Sequence, residues 1–194
     1  AEIARLQPDY MGFIFYRLSP RFAGGLVAET LAVLSPATKK VGVFADAPEK
    51  YVRQTAERYG LDYIQLHGDE APPICASLRR DFGVIKAFAV AELSDLAVTA
   101  DYEQSCDFYL FDTKTDGYGG SGRKFDHRIL ANYLGKTPYL LGGGLSADYV
   151  PPACVLADKR CVGLDINSRF ESAPGVKDPA LVKTFIETIK TNIR

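Results

Sequence analysis

The chain of 194 residues is short of several residue types, and each shortage narrows what it can be. It has no tryptophan, two histidines and four cysteines. The cysteines form no Cys-x-x-Cys pair and have no histidine at metal-ligand spacing, so the sequence predicts neither a metal site nor a disulfide framework. Because each stands in an apolar setting, we expect reduced, buried thiols and a cytoplasmic protein. They are Cys75, Cys106, Cys154 and Cys161.

Long apolar runs and an excess of one charge are also missing. No apolar stretch approaches the roughly 20 residues that cross a bilayer, and we expect no signal peptide. The chain has 23 Lys and Arg against 24 Asp and Glu, for a formal net charge of -1. The basic residues are scattered, so nothing indicates binding to nucleic acid or to an acidic membrane. We expect small-molecule partners.

What the chain does have is a repeat of short apolar runs and helical patterns. This alternation predicts a parallel sheet with right-handed crossovers. The predicted strands are Tyr10 to Phe15, Val41 to Phe44, Tyr63 to Leu66, Val84 to Phe88, Phe108 to Phe111, Tyr139 to Leu141 and Val162 to Leu164. The predicted helices are Gly25 to Leu34, Pro48 to Tyr59, Ala71 to Phe82, Leu93 to Gln104, Phe125 to Leu134, Ser146 to Ala157 and Pro179 to Thr191.

Two architectures satisfy this alternation, a closed (β/α)₈ barrel and an open doubly wound sheet. Polar residues follow nearly every predicted strand, and the segment Ala1 to Gln7 reads as a helix entered midway. We therefore expect a single (β/α)₈ TIM-barrel domain over residues 1–194, with its first β-strand absent from the sequence.

Two strand ends carry residues suited to an anion. Three consecutive glycines leave their N–H groups unshielded, and Ser146 is placed to cap a helix whose dipole would face the same space. Such strand ends match the phosphate site that (β/α)₈ barrels build after strands 7 and 8. A tight strand-to-helix turn is the plainer alternative. The residues are Gly142, Gly143 and Gly144 at one end, and Asp165, Asn167 and Ser168 at the other.

A carboxyl group for proton transfer follows another strand. Asp112 comes directly after four apolar residues, so we expect it to face the cavity with a pKa raised by partial burial. The loop 115–122 beyond it holds four glycines and is expected to cover the site. A turn aspartate is the alternative. Asp112 and Asp165 together beside a phosphate site suit proton transfer on a sugar phosphate.

Other polar residues are open to two interpretations. The guanidinium of Arg21 suits a carboxylate or phosphate, although a solvated loop arginine is as simple. His67 stands at a strand end, where a structural hydrogen bond competes with a chemical role. Lys86 interrupts an apolar run, which the interior or mouth of a barrel would explain. We expect Asp46 to cap a helix and His127 to lie on the surface.

Segments at these positions run in order along the chain: GFIFYRLSPR from Gly12, VGVFAD from Val41, IQLHGDE from Ile64, KAF from Lys86, FDTKTDGYGGSGRKFD from Phe111, LLGGGL from Leu140, and GLDINSRFE with PGVKD from Gly163 to Asp178. Together they resemble the segments of the phosphoribosylanthranilate isomerase family. The resemblance implies a (β/α)₈ enzyme of tryptophan biosynthesis. Its reaction is the Amadori rearrangement of N-(5-phosphoribosyl)anthranilate to 1-(2-carboxyphenylamino)-1-deoxyribulose 5-phosphate, without metal or organic cofactor.

The resemblance also implies roles for single residues. Asp112 resembles the general acid, and Arg21 the group that holds the anthranilate carboxylate. Asp165 resembles a contact to the sugar hydroxyls, and we count His67 among the substrate-binding residues. The family's phosphate site is resembled by five residues of this chain: Gly142, Gly143, Gly144, Asn167 and Ser168.

One expected residue is missing. The family's general base is a cysteine in a Lys-Val-Cys-Gly type segment after the first strand, and this sequence has no such segment. We therefore expect about twenty further N-terminal residues in the intact protein. A truncated variant or a non-catalytic binder of phosphoribosyl ligands is the alternative. The SPR and FDTKTDGYGGSG segments argue against an epimerase or an indole-glycerol-phosphate synthase on the same scaffold. Association with other enzymes of the pathway is also expected.

Overall fold

The computed structural model describes residues 2–114 and 125–192. It confirms the alternation of strands with helical segments. Seven parallel strands form one sheet in the order of the chain. They are β1 (Tyr10–Ile14), β2 (Lys39–Phe44), β3 (Tyr63–Leu66), β4 (Gly83–Val90), β5 (Phe108–Thr113), β6 (Tyr139–Leu141) and β7 (Cys161–Leu164). A separate antiparallel pair consists of β8 (Glu171–Ala173) and β9 (Val176–Lys177).

The expected eight-stranded closed barrel is wrong. In the part of the chain that the structure describes, the strand order begins at β1 and ends at β7, and the additional strands form the small sheet of β8 and β9. The expectation of an absent first strand has no support either. The described N-terminal residues form α1 (Glu2–Arg5), and the left-handed residue Gln7 lies between this helix and β1.

Several helical segments are shorter or more tightly wound than the periodicity predicts, whereas α2 and α5 lie close to the predicted bounds. The α-helices after α1 are α2 (Glu49–Tyr59), α3 (Pro72–Leu78), α4 (Ala153–Leu156) and α5 (Pro179–Asn192). Three predicted helices are instead 3₁₀ segments, at Ala28–Val33, Leu93–Tyr102 and His127–Asn132. A helix from Ser146 is also wrong, because Pro151 and Pro152 lack the N–H groups of a helix interior and α4 begins only after them.

The described chain divides into two compact units. The first comprises Ala1–Lys86 and Gln104–Asp107. In it, β1 pairs with β2, β2 with β3, and β3 with the first half of β4. Helix α2 buries Val52, Ala56 and Tyr59, which recur at helical spacing, and the ring of Tyr59 lies 5.0 Å from that of Phe15. Phe15 also stacks on Phe44, so aromatic rings form part of this unit's core.

The second unit comprises Ala87–Glu103 and Phe108–Arg194. Strand β5 pairs with β6, and β6 with β7. Its core contains a cluster of buried rings whose contacting centroids lie 5.0 to 6.3 Å apart: Phe88, Tyr109, Phe111, Tyr133 and Tyr139. Helix α5 buries Val182, Phe185 and Ile189 at helical spacing. A single domain over the whole chain stays a prediction.

Candidate active site

Two carboxyl groups flank the glycine-rich turn in the second unit. The Gly142 N–H donates to the Phe111 carbonyl at 2.8 Å, which brings the turn beside the end of β5. A Cβ built on Gly142 would lie 3.6 Å from Asp165 Oδ2, and one built on Gly143 would lie 2.9 Å from Asp112 Oδ1. The structure therefore brings Asp112, Asp165 and the glycines together, as the strand ends predict.

The turn requires glycine. Gly143 and Gly144 have φ angles of 73° and 68°, a region that side chains strongly disfavour. At Gly143 a side chain would also collide with the Oγ1 and N atoms of Thr113. Because the turn passes so close to the backbone of β5, it has to consist of glycines. Its peptide groups are therefore not shielded by side chains.

No helix follows the glycines directly. The Ser146 hydroxyl donates to Asp148 Oδ1 at 2.7 Å instead of capping a helix, and α4 begins at Ala153. The prediction of a helix dipole directed at the glycine turn is therefore wrong. Without a helix dipole, the peptide N–H groups of the glycines are the donors that this turn itself offers to an anion.

His127 is not a surface residue, contrary to expectation. Its side chain is 1% exposed. Its Nε2 lies 3.0 Å from the Gly143 carbonyl oxygen, and its Nδ1 lies 3.0 Å from the Tyr149 hydroxyl. The sequence carries a partial signal, because Asp126 caps the 3₁₀ segment through the Arg128 N–H and so fixes where His127 enters the fold. No sequence signal indicates Tyr149.

The turn after β7 is held by a lysine that the sequence analysis does not identify. Lys177 Nζ lies 2.6 Å from Asn167 Oδ1 and 2.6 Å from Glu171 Oε1. Ser168 opens a 3₁₀ segment that ends at the buried Phe170. The hairpin of β8 and β9 thereby fixes the side chain of Asn167, one of the two predicted phosphate contacts of this turn.

Two further predicted site residues belong to the first unit. Arg21 lies in the loop after β1, where its N–H donates to Ser19 Oγ at 3.1 Å. His67 directly follows β3, and its Nδ1 lies 3.1 Å from Gln65 Nε2. Both positions follow the carboxyl end of a strand, as predicted.

A buried ion pair lies next to His67. Lys86 and Glu70 are each 3% exposed, and their charged atoms are 3.3 Å apart. Lys86 also donates to the Gly68 carbonyl at 2.6 Å. Glu70 accepts the N–H groups of Asp46 at 2.9 Å and Gly68 at 3.1 Å. Lys86 within β4 is thus paired with Glu70 in the loop after β3. The sequence-based explanation, a position in the interior or mouth of a barrel, does not identify this partner.

Asp46 does not cap α2, contrary to expectation. The helix has no side-chain cap, and Asp46 instead adopts a left-handed conformation with φ 50°. Its Oδ1 accepts the Asp69 N–H at 2.7 Å. Asp46 therefore ties the loop after β2 to the loop after β3.

The cysteines differ in their environments. Cys75 and Cys106 are buried, as expected, and the hydrogen bond that Cys106 donates to Cys75 is the main cause that raises the pKa of Cys106. Burial raises the pKa of Cys161 to about 11. Cys154 is exposed, so the expectation of four buried thiols is wrong. None of the four lies at the carboxyl end of a described strand.

Residues 2–114 and 125–192 contain no group of three His, Cys, Asp or Glu side chains that could hold a metal ion. None of their helices has the length and apolar character needed to cross a membrane. The predicted glycine-rich cover, residues 115–122, lies outside the described residues.

A parallel sheet whose strand ends combine a glycine turn with two carboxyls is typical of α/β enzymes that act on phosphorylated substrates. The family model described as N-(5'phosphoribosyl)anthranilate (PRA) isomerase matches residues 1–188. The N-(5'-phosphoribosyl)anthranilate isomerase of Parabacteroides distasonis is 44% identical over 193 residues, which cover 97% of this chain and 86% of the relative. The chain belongs to this family, and it is an isomerase of tryptophan biosynthesis.

Solved structures agree with this assignment. The crystal structure of phosphoribosyl anthranilate isomerase from Thermotoga maritima has a TM-score of 0.85 at 31% identity, covering 97% of this chain and 91% of that chain. Another structure, of the isomerase in complex with reduced 1-(o-carboxyphenylamino)-1-deoxyribulose 5-phosphate, has a TM-score of 0.81 at 27% identity. It also covers 97% of this chain and 91% of that chain.

Proposed function

We propose that Asp112 is the general acid of the Amadori rearrangement and that the turn of Gly142, Gly143 and Gly144 binds the substrate phosphate. The observation that carries this proposal is that a Cβ built on Gly143 would lie only 2.9 Å from Asp112 Oδ1. A carboxyl this close to a phosphate site is placed to reach atoms a few bonds from the phosphate.

The chemistry of the substrate fits that spacing. In a ribosyl 5-phosphate the ring oxygen is bonded to C4, and C4 carries the C5 that bears the phosphate. Protonation of the ring oxygen by Asp112 breaks its bond to C1, while the nitrogen lone pair forms the iminium. A general base then takes the C2 proton to give the enolamine, and return of a proton to C1 gives the ketose. Because these steps only transfer protons and shift electron pairs, with no net oxidation or reduction of the substrate, the reaction needs no redox cofactor.

The other predicted residues bind the rest of the substrate. Asp165 accepts hydrogen bonds from the sugar hydroxyls, since its carboxylate lies beside Gly142. Asn167 and Ser168 complete the phosphate site after β7. In the first unit, Arg21 binds the anthranilate carboxylate through two parallel hydrogen bonds, and His67 is a further substrate contact.

The setting of the enzyme follows from charge and composition. We place it in the cytoplasm, acting on a diffusible sugar phosphate. A net charge of -1 gives no electrostatic attraction to nucleic acid or to acidic lipid. Association with other enzymes of the tryptophan pathway is part of the same proposal.

Turnover of phosphoribosylanthranilate by the purified wild-type protein, followed by loss of substrate fluorescence, measures the activity directly. Binding of a product analogue without turnover would contradict the proposed mechanism.

The general acid is tested by Asp112→Asn. We expect kcat to fall about 10² to 10⁴-fold because the amide cannot donate a proton, while a product analogue binds nearly as before. Asp101→Asn, which removes an exposed carboxylate in the same unit, should leave kcat unchanged. Substantial turnover by Asp112→Asn would remove the assigned role.

A further inference from the structure

The strongest feature that the reaction leaves unexplained is the buried side chain of His127. It links two points of the segment after β6, the Gly143 carbonyl and the Tyr149 hydroxyl, both at 3.0 Å. Its ring also packs edge-on against Phe125, with centroids 4.7 Å apart, and against Tyr149 at 5.4 Å. A ring held by two hydrogen bonds and two aromatic contacts has little freedom to move.

The chemistry of the partners fixes the direction of the hydrogen bond to the turn. A carbonyl oxygen can only accept, so His127 Nε2 must carry a proton and donate to Gly143. Nδ1 then accepts from the Tyr149 hydroxyl when the ring is neutral. Burial, followed by the charge of Asp126, raises the pKa of Tyr149, which keeps the hydroxyl protonated and able to donate. Tyr149 thereby favours the tautomer that Gly143 requires.

Holding the Gly143 carbonyl also orients the next N–H group. The peptide between Gly143 and Gly144 is planar, and in a trans peptide the C=O and N–H bonds point in opposite directions. A carbonyl directed at His127 therefore directs the Gly144 N–H away from it. The φ angles here are 73° and 68°. Because glycine has no side chain to restrict its backbone, neither residue fixes this orientation by itself.

We propose that His127 is a positioning residue for phosphate binding: its hydrogen bond to the Gly143 carbonyl holds the Gly144 N–H toward the bound phosphate, and Tyr149 sets its tautomer. This proposal rests on the proposed phosphate site at the glycine turn. His127 does not touch the substrate, so it acts through the turn. Pre-orienting the peptide spares the ligand the free energy of ordering a mobile glycine segment.

His127→Phe is the first test because it keeps a ring for the aromatic contacts and removes both nitrogen atoms. We expect the Kd for inorganic phosphate and the KM for phosphoribosylanthranilate each to rise about tenfold, which corresponds to one hydrogen bond. We expect kcat to stay within about twofold, because Asp112 remains. A uniform loss of folded protein would lower kcat at unchanged KM, so this split separates positioning from general stability.

Two variants serve as controls. The amide nitrogen of a glutamine side chain can occupy the position of His127 Nε2, so His127→Gln should restore the Kd and KM to within about threefold of wild type. Tyr149→Phe keeps the donor to Gly143 and should change both values less than His127→Phe does. The proposal is overturned if His127→Phe leaves KM and the phosphate Kd unchanged, or if His127→Gln is no better than His127→Phe.

A measurement on the wild-type protein covers the case in which His127→Phe does not fold. With ¹⁵N-labelled histidine, the ring signals of His127 are recognised as those that persist in His67→Gln. Saturating inorganic phosphate should shift the Nε2 signal, because a phosphate on the Gly144 N–H polarises the shared peptide. Phosphate binding without a shift would overturn the proposal alone, whereas failure of the wild-type protein to bind phosphate would overturn the proposed phosphate site.

Discussion

Gly143 lies so close to Asp112 that there is no room for a side chain between them. A Cβ on Gly143 would stand 2.9 Å from Asp112 Oδ1 and 2.5 Å from the Thr113 nitrogen. Asp112 Oδ1 itself accepts the Thr113 N–H at 2.7 Å. The carboxylate, the end of β5 and the glycine turn therefore form one packed unit, and a change in the turn displaces the acid.

The first prediction concerns Gly143→Ala. The methyl group collides with β5, and an alanine at φ 73° is strained, so we expect unfolding to become easier by about 1 to 3 kcal/mol. We also expect at least a tenfold rise in the phosphate Kd, because the turn must move. Urea unfolding and phosphate titration measure the two effects.

Gly25→Ala is the matched control for that substitution. A Cβ on Gly25 meets nothing within 4 Å, and its φ is not in the left-handed region. We expect its free energy of unfolding to change by no more than about 0.5 kcal/mol, with phosphate binding unaffected. Equal behaviour of the two variants would contradict the packing argument.

The strands of the sheet could be predicted because each is encoded by a short run of consecutive residues. Runs of apolar β-rich residues predict Tyr63–Leu66 and Tyr139–Leu141 at the bounds that the structure has. The glycines and Asp112 were predictable for the same reason, since each directly follows or ends a run. The barrel was not, because the number of strands that a sheet contains is not a property of any local segment.

The contacts that hold the site were not predictable, because they join residues distant in the chain. Nothing local links His127 to Gly143 or Lys177 to Asn167. The failure of the helix after the glycines was different. Pro151 and Pro152 are visible in the sequence and exclude a continuous helix there, so apolar periodicity was given too much weight.

The second prediction concerns Arg21→Ala. If the guanidinium binds the anthranilate carboxylate, its loss should raise the Kd of a product analogue about 10 to 100-fold, since two charge-assisted hydrogen bonds disappear. The Kd of inorganic phosphate should stay within about twofold, because that ligand lacks the carboxylate. Isothermal titration of both ligands measures the difference.

Arg21→Lys refines the test of this role. Lysine keeps the charge and loses the planar fork, so we expect an intermediate Kd for the product analogue. Arg17→Ala, in the same loop, is the control for loss of a positive charge. Equal losses for both ligands in Arg21→Ala, or an equal loss in Arg17→Ala, would remove the assigned role.

The third prediction concerns the buried pair of Lys86 and Glu70. Lys86→Met leaves the Glu70 carboxylate buried without its cation, so we expect about 3 to 5 kcal/mol less stability. Adding Glu70→Gln should recover part of the loss, because the uncompensated charge is removed. Unfolding in urea, with the single variants and the double variant, gives the coupling between the two residues.

The chain offers an exposed ion pair for comparison. Lys183 and Glu187 are 3.9 Å apart at i, i+4 in α5, with both side chains 66% exposed. We expect Lys183→Met to cost less than about 1 kcal/mol, because solvent screens this pair. A similar cost for Lys86→Met would mean that the buried pair contributes no more than the exposed one.

The fourth prediction concerns acid stability and depends on Asp158. Its carboxylate accepts hydrogen bonds from Arg160 Nε at 3.0 Å and Nη2 at 2.9 Å, and from the Tyr139 hydroxyl at 3.3 Å. Arg160 is fixed in turn by the carbonyls of Tyr133 and Gly135. The hydrogen bond from Arg160 is the main cause that lowers the pKa of Asp158 below its usual range.

A folded-state pKa below the unfolded value of about 3.9 means that folding favours the ionised form. The resulting stability is present above about pH 4 and is lost as the pH falls through the folded-state pKa. Asp158→Asn lacks this contribution. We therefore expect the free energy of unfolding of the wild type to exceed that of the variant by about 1 kcal/mol at pH 6, and by progressively less below pH 4. Urea unfolding between pH 6 and pH 2 measures the difference, with Asp101→Asn as the exposed control. A difference between wild type and Asp158→Asn that stays constant over this range would show that ionisation of Asp158 does not contribute to the acid stability of the fold.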